Sequence, residues 1–269
     1  MLTVEPGATV TFETSDLAFQ RLDAGEPPAE IGLENFNAVT GPVAVAGAEP
    51  GDALRIEVLE IAVERAWAAW LPGFGGLGAR TQEVQIRPIP LADGEAHISE
   101  ALTVPVEPMI GCIGVAPEDG PGSTLQPAHV WGGNMDLREL SPGATLFLPV
   151  QVSGALLSLG DLHAAMGTAE PTDVSLEAAG KATLRISLER GMSLPSPRVR
   201  VGKSTMCLGL GATVGEARQS AIDQAYELLT ALGLQPFDAY AYASARVSLR
   251  LGGHASPMVL AVVPDLDAD

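Results

Sequence analysis

The sequence predicts a mainly β fold, a β-rich α+β class, with one long helix and a shorter one toward the C-terminus. Most of the chain alternates apolar and polar residues with a period of two, punctuated by Gly, Pro and Asp. One window, Thr213 to Gly233, carries helical spacing instead. Hydrophobic residues make up 46% of 269, enough to bury a large core as one elaborate domain or two small ones.

Pro50-Gly51-Asp52 is a strong turn signal ahead of the first long strand. Leu54, Ile56 and Val58 alternate with Arg55, Glu57 and Leu59, and the apolar phase then moves to Leu59, Ile61 and Val63. A phase change inside one strand predicts a bulge or a crossing between sheets. Val174 to Leu188 reads as a hairpin with Ala179-Gly180 at its tip. Pro195-Ser196-Pro197 is the best candidate hinge in a single domain spanning 1–269, dividing a β-rich body from the region that holds the helix.

That helix opens on Thr213 and Glu216, which have the spacing of a capping box. Val214, Ala217, Ala221, Ala225, Leu228 and Leu232 fall along one face, and Gly233 can close the helix in left-handed backbone. A shorter helix is predicted from Pro236 to about Ala245. Val247, Leu249 and Leu251 alternate in a strand, and Met258 to Val263 is an apolar run suited to a buried strand.

Composition narrows the function. Fifteen basic against 33 acidic residues give a net charge of −18, the wrong sign for a nucleic-acid binder and repelled by anionic membranes. Cys112 and Cys207 are the only cysteines, too few for a disulfide framework. Met1 to Gly7 carries no signal-peptide pattern, and no run of about 18 apolar residues is present. A soluble cytoplasmic protein is the expectation.

Three polar groups interrupt apolar or Gly-rich sequence. In Gly132-Gly133-Asn134-Met135-Asp136, an extended chain after the glycines would point Asn134 and Asp136 to one side; equally, both side chains suit a turn in which they cap local backbone. In Gly160-Asp161-Leu162-His163, extended geometry puts Asp161 and His163 on one face, an arrangement fit for a metal site, for acid–base chemistry, or for a satisfied histidine at a strand end. Glu170 follows Gly167-Thr168-Ala169 and draws interest only from the company of the others. Cys112 lies between Gly111 and Ile113 in an apolar stretch, which predicts buried packing rather than a nucleophile.

Met109-Ile110-Gly111-Cys112-Ile113-Gly114-Val115-Ala116-Pro117, Gly132-Gly133-Asn134-Met135-Asp136, Gly143 to Val150, and Gly154-Ala155-Leu156-Leu157 with Gly160 to Gly167 together resemble the acetamidase/formamidase family. Thr40-Gly41-Pro42-Val43 and Gly47 to Asp52 resemble that family's N-terminal signature. The resemblance runs through nearly the whole chain, in order. It implies barrel-like β halves, a homo-oligomer, and hydrolysis of a short-chain linear amide, formamide- or acetamide-like, to a carboxylate and ammonia. It also implies a divalent metal ion, zinc favoured and calcium the alternative. Carried over by position, Asp136, His163 and Glu170 are the expected ligands, with Glu170 doubling as base, Asn134 positioning substrate and Asp161 joining the catalytic set. Two departures stand out: Trp131 occupies the family's histidine position ahead of the two glycines, with His129 two residues earlier, and Gly167-Thr168-Ala169-Glu170 stands where the family has Gly-Asp-Gly-Glu. They motivate an alternative, a member with lost or altered activity that binds a small ligand in the same pocket.

Overall fold

A computed structural model of the chain describes residues 1–253 and 257–267. Its N-terminal part holds β1 (Leu2–Val4), β2 (Ala8–Glu13), α1 (Leu17–Asp23), α2 (Pro28–Ile31), β3 (Val39–Val45), β4 (Ala53–Trp70), β5 (Gln85–Ile89), β6 (Leu91–Ala92), β7 (Glu95–Ser99) and β8 (Leu102–Pro105). The middle holds β9 (Met109–Gly114), β10 (Gly132–Asn134), β11 (Thr145–Pro149), β12 (Leu157–Ala165) and β13 (Leu176–Glu189). Then come β14 (Arg198–Val201), β15 (Ser204–Leu210), α3 (Val214–Ala231), α4 (Pro236–Arg246), β16 (Ser248–Leu251) and β17 (Met258–Pro264).

Among the described residues, fourteen strands join one sheet along the path β1-β3-β12-β13-β4-β11-β14-β15-β17-β16, with β2, β5, β9 and β10 off that path; β6, β7 and β8 form a separate sheet. The mainly β class is as predicted, but the barrel-like halves implied by the resemblance do not close: the described path has two ends, β1 and β16. No described helix is long and apolar enough to cross a membrane.

β4 is the longest strand, and its pairing explains the phase change. Val58 faces Leu184 and Glu60 faces Thr183, so Leu59 is an extra residue between them. This bulge lets Leu54, Ile56 and Val58 before it, and Ile61 after it, all reach the core. The predicted hairpin at Ala179-Gly180 is corrected: β13 runs unbroken from Leu176 to Glu189, and its register merely slips between Ala179 and Gly180. Gly180 marks close backbone approach rather than a turn, since a Cβ there would lie 2.0 Å from the Ala62 carbonyl oxygen.

Thr213 caps α3, its hydroxyl accepting from Glu216 N at 3.2 Å, while the Glu216 carboxylate accepts from Ala212 N at 2.8 Å. Ala217, Ala221 and Ala225 face inward as predicted; Leu229 completes the buried stripe, and Val214 and Leu232 are exposed. β17 is buried on both faces. Met258, Leu260 and Val262 enter the large core, and Val259, Ala261 and Val263 enter a second core under α3 and α4. This two-sided burial explains the continuous apolar run. At Pro195-Ser196-Pro197, the buried Ser196 hydroxyl meets Leu208 O and Gln224, and strands on both sides contribute to the large core.

Candidate metal centre

β9 organises the centre. It pairs with β12, setting Cys112 opposite Gly160 and Met109 opposite His163, and with β10, setting Asn134 opposite Cys112. Beyond β10 the chain curls over Gly111, whose carbonyl accepts from both Met135 N (3.1 Å) and Asp136 N (3.2 Å). On its other edge β12 pairs with β13, so that His163 faces Glu177.

The outcome is a buried cluster around one imidazole. His163 Nε2 lies 3.5 Å from Asp161 Oδ1, 3.5 Å from Glu177 Oε2 and 4.0 Å from Asp136 Oδ1. Two sets of potential ligand atoms, each within 4.8 Å, share His163: Asp136–Asp161–His163 and His163–Glu170–Glu177. Ser175 ties the two glutamates together, its hydroxyl donating to Glu170 Oε1 at 2.7 Å and its N–H to Glu177 Oε1 at 2.8 Å.

The carboxylates reach this cluster through unusual backbone. Asp136, Asp161 and Glu170 have φ of 43°, 57° and 40°. Left-handed conformation is uncommon outside glycine and enriched for Asp, less so for Glu. The extended geometry read from the sequence is therefore corrected at Asp161 and Asp136, although both side chains still converge on His163.

Electrostatics follow from burial. Burial acts to lower the His163 pKa, but the charges of Glu177, Asp161 and Asp136 outweigh it and hold the imidazole well above its ordinary value. Burial pushes the Glu177 carboxyl well up, and the Asp161 and Glu170 charges add to this against the pull of His163. Burial also acts upward on Asp161, yet the His163 charge and hydrogen bonds from His163, Cys112 and Glu177 leave it below the ordinary carboxylate value. The Cys112 thiol is pushed well up by burial and by the Asp161 and Asp136 charges. Cys112 is buried and free as predicted, but it packs on the cluster: Sγ lies 3.4 Å from both Asn134 Oδ1 and Asp161 Oδ2.

All five residues singled out from the sequence gather here, with Asn134 joined through Cys112. Sequence reasoning missed three. Glu177 lay inside the supposed hairpin, where a lone carboxylate in the run Leu176 to Ala182 was its only signal. Asn37 donates through Nδ2 to Asp161 Oδ2 at 3.4 Å from a loop with no motif of its own. Gly111 is the third. A Cβ on it would lie 2.6 Å from Asp161 Oδ2 and 2.8 Å from Asp136 Oδ1. The missing side chain is what leaves room for two carboxylates.

These residues fit a cation. One Nε2–H can serve only one acceptor, and separations near 3.5 Å are poor hydrogen bonds. The Asp161 and Glu177 separations are close to the roughly 3.4 Å edge of a tetrahedron built from bonds of about 2.1 Å, as nitrogen and oxygen ligands of zinc make, and the 4.0 Å to Asp136 is longer. His163 Nδ1 is buried without a hydrogen-bond partner in the protein. A cavity of about 260 Å³ reaches Glu170 and Ser175 and is lined by Ala68, Ala165 and Gly167 together with Met166, Val174 and Leu176. A groove of about 1010 Å³ runs between α1–α2 and β4–β5 and touches none of the cluster.

Comparison with known proteins agrees with the motifs. A profile described as "Acetamidase/Formamidase family" matches residues 1–120 and 119–264. The chain belongs to the acetamidase/formamidase family. It is 31% identical to an acetamidase from Bacillus halodurans of known structure, covering 97% of this chain and 90% of that one with a TM-score of 0.86. For an acetamidase from Yersinia enterocolitica the values are 30%, 98%, 84% and 0.85. A formamidase from Methylophilus methylotrophus is 23% identical over 250 residues, 69% of this chain and 60% of that protein. The chain thus spans about three-fifths of the length of this formamidase and of an acetamidase from Mycolicibacterium smegmatis, and matches 16% of the length of a putative formamidase from Schizosaccharomyces pombe. Within the family pattern, the two departures sit outside the cluster's polar contacts. Thr168 is exposed, and the Trp131 indole stacks on His129 with ring centroids 5.3 Å apart. Ala169, where the family has glycine, keeps a left-handed φ of 61°.

Proposed function

We propose that this acetamidase/formamidase-family chain hydrolyses a short-chain linear amide to a carboxylate and ammonia, using a divalent cation held by Asp136, Asp161 and His163. The observation that carries this reading is the convergence of buried carboxylates on His163 over the Gly111 floor, because such a group is repulsive until a proton or cation neutralises it. An imidazole in the donor set favours zinc over calcium, which takes oxygen ligands. When bound, the ion polarises the amide carbonyl and lowers the pKa of its water to about 7.

The chain's own groups do the rest. Glu170, held by Ser175 at the cavity, takes the proton of the attacking water and returns it to the leaving nitrogen as the C–N bond breaks. Asn134 positions the substrate amide, and the Asn37 amide and Cys112 thiol fix Asp161 by donating toward Oδ2. A homo-oligomer in a reducing, cytoplasmic setting accompanies this reading, supported by the two free buried cysteines and the family resemblance. The test is ammonia release from formamide, acetamide and propionamide by zinc-loaded protein. Turnover lost in a folded Glu170→Gln variant supports it; no ammonia from any short amide leaves the ligand-binding alternative.

A further inference from the structure

The segment bearing Asp136 is gripped from two sides, and only one grip belongs to the motifs described above. On the first side, Gly111 O accepts the Met135 and Asp136 amides, and Ile110 N donates to Leu140 O at 3.0 Å. On the second side stands the end of β16, more than a hundred residues later in the chain. Gly253 is buried there, and a Cβ on it would lie 2.1 Å from Met135 O and 3.1 Å from Asp136 Cβ. Arg250 of β16 reaches Glu139 at 3.4 Å, a second link to the same segment. Gly252 N donates to Met258 O at 2.9 Å, which anchors this end to the doubly buried β17.

We infer that Gly253 is a positioning residue for the candidate centre: the β16–β17 end presses on the Met135–Asp136 peptide and fixes the left-handed backbone from which Asp136 meets Asp161 and His163. The obstacle at Gly253 is a backbone carbonyl, which cannot swing aside as a side chain would. Moving Met135 O means turning the 135–136 peptide, and that changes φ of Asp136. The left-handed region is narrow, so such a turn carries the carboxylate off its target. What the centre holds rests on the proposed function; that Gly253 sets the position of Asp136 does not.

The test uses the full chain and zinc alone as probe. Gly253→Ala should weaken zinc binding about 10- to 100-fold in chelator competition, the usual effect of losing a group that orients a ligand. It should also strip hydrogen-exchange protection from the Met135 and Asp136 amides while α3 keeps its own. Wild-type protein supplies a measurement that needs no variant to fold. Coupling is reciprocal, so zinc should raise protection at Gly252 N together with Asp136 N. Zinc protection at Asp136 without Gly252, or native zinc affinity and native protection in Gly253→Ala, overturns the inference. Wild-type protein that binds no zinc defeats the metal reading instead, and exchange at Met135 and Asp136 in Gly253→Ala still decides the positioning role.

Discussion

Gly111→Ala is the sharpest perturbation of the candidate centre. The new methyl carbon would sit 2.6 Å from Asp161 Oδ2, 2.8 Å from Asp161 O and 2.8 Å from Asp136 Oδ1. Ordinary carbon–oxygen contact begins near 3.3 Å, so each atom must retreat by about half an ångström or more. The two carboxylate oxygens can rotate, but the Asp161 carbonyl belongs to β12 and cannot. Overpacking of this kind costs about 1–3 kcal/mol of stability. Zinc should suffer more, because the retreat turns both ligand carboxylates away from the positions in which they face His163; a loss of about 1.4–2.8 kcal/mol is a 10- to 100-fold weaker Kd. Urea unfolding of metal-free protein measures the first quantity and chelator competition the second. A variant that loses stability and keeps wild-type zinc affinity would refute the claim that Asp136 and Asp161 jointly hold the ion.

Cys112→Ser, which keeps a donor toward Asp161 Oδ2, should retain turnover, because burial and flanking carboxylates keep the thiol protonated; complete loss in a folded variant would make it a nucleophile. Asp16 is buried and accepts from Arg65 Nη2 (3.0 Å), Trp67 Nε1 (2.8 Å) and Gln20. Burial raises its pKa, but these hydrogen bonds and the Arg65 charge bring it below the ordinary value. Its contribution is therefore present above the unfolded-state pKa and lost as pH falls through the folded one, so Asp16→Asn should cost about 1–3 kcal/mol at pH 7, narrowing below about pH 4; a gap that stays constant down to pH 2 contradicts this. Ala169→Gly should stabilise by about 0.5–1 kcal/mol, since left-handed alanine costs about 1–2 kcal/mol and glycine's extra unfolded freedom returns only part of it; the urea midpoint reads this. Removing zinc with a chelator should lower the melting temperature, as zinc at 100 times Kd adds about 2.7 kcal/mol; an unchanged Tm speaks against a bound ion.

Much of the fold was legible because it rests on local pattern. The Leu59 phase change is a bulge, the Thr213–Glu216 spacing is a working cap, and Met258 to Val263 is buried on both faces. Gly180 misled because a glycine in a strand signals equally a tip or a close neighbour, and only the partner strand decides. The site was legible where Gly-bracketed motifs held its residues. Glu177 and Gly253 were not, because their roles come from what β12 and Met135 bring across from elsewhere in the chain.

Departures from local rules separate this site from the rest of the molecule without any appeal to resemblance. Two buried polar side chains elsewhere hold structural groups: Asp52 holds Gly191 N and Arg190, and Gln224 donates to Leu208 O beside Ser196. Around His163 the pattern is different. Of the eight non-glycine residues with left-handed backbone among those described, four are Asp136, Asp161, Ala169 and Glu170. Such backbone persists only where surrounding structure over-determines it. Here Gly111 O holds the Asp136 amide, Gly253 packs on the Met135 carbonyl and Ser175 holds Glu170, so that the carboxylates stay gathered around His163. Held inward over a glycine with no side chain, the two carboxylates make the arrangement on which the proposed cation site rests.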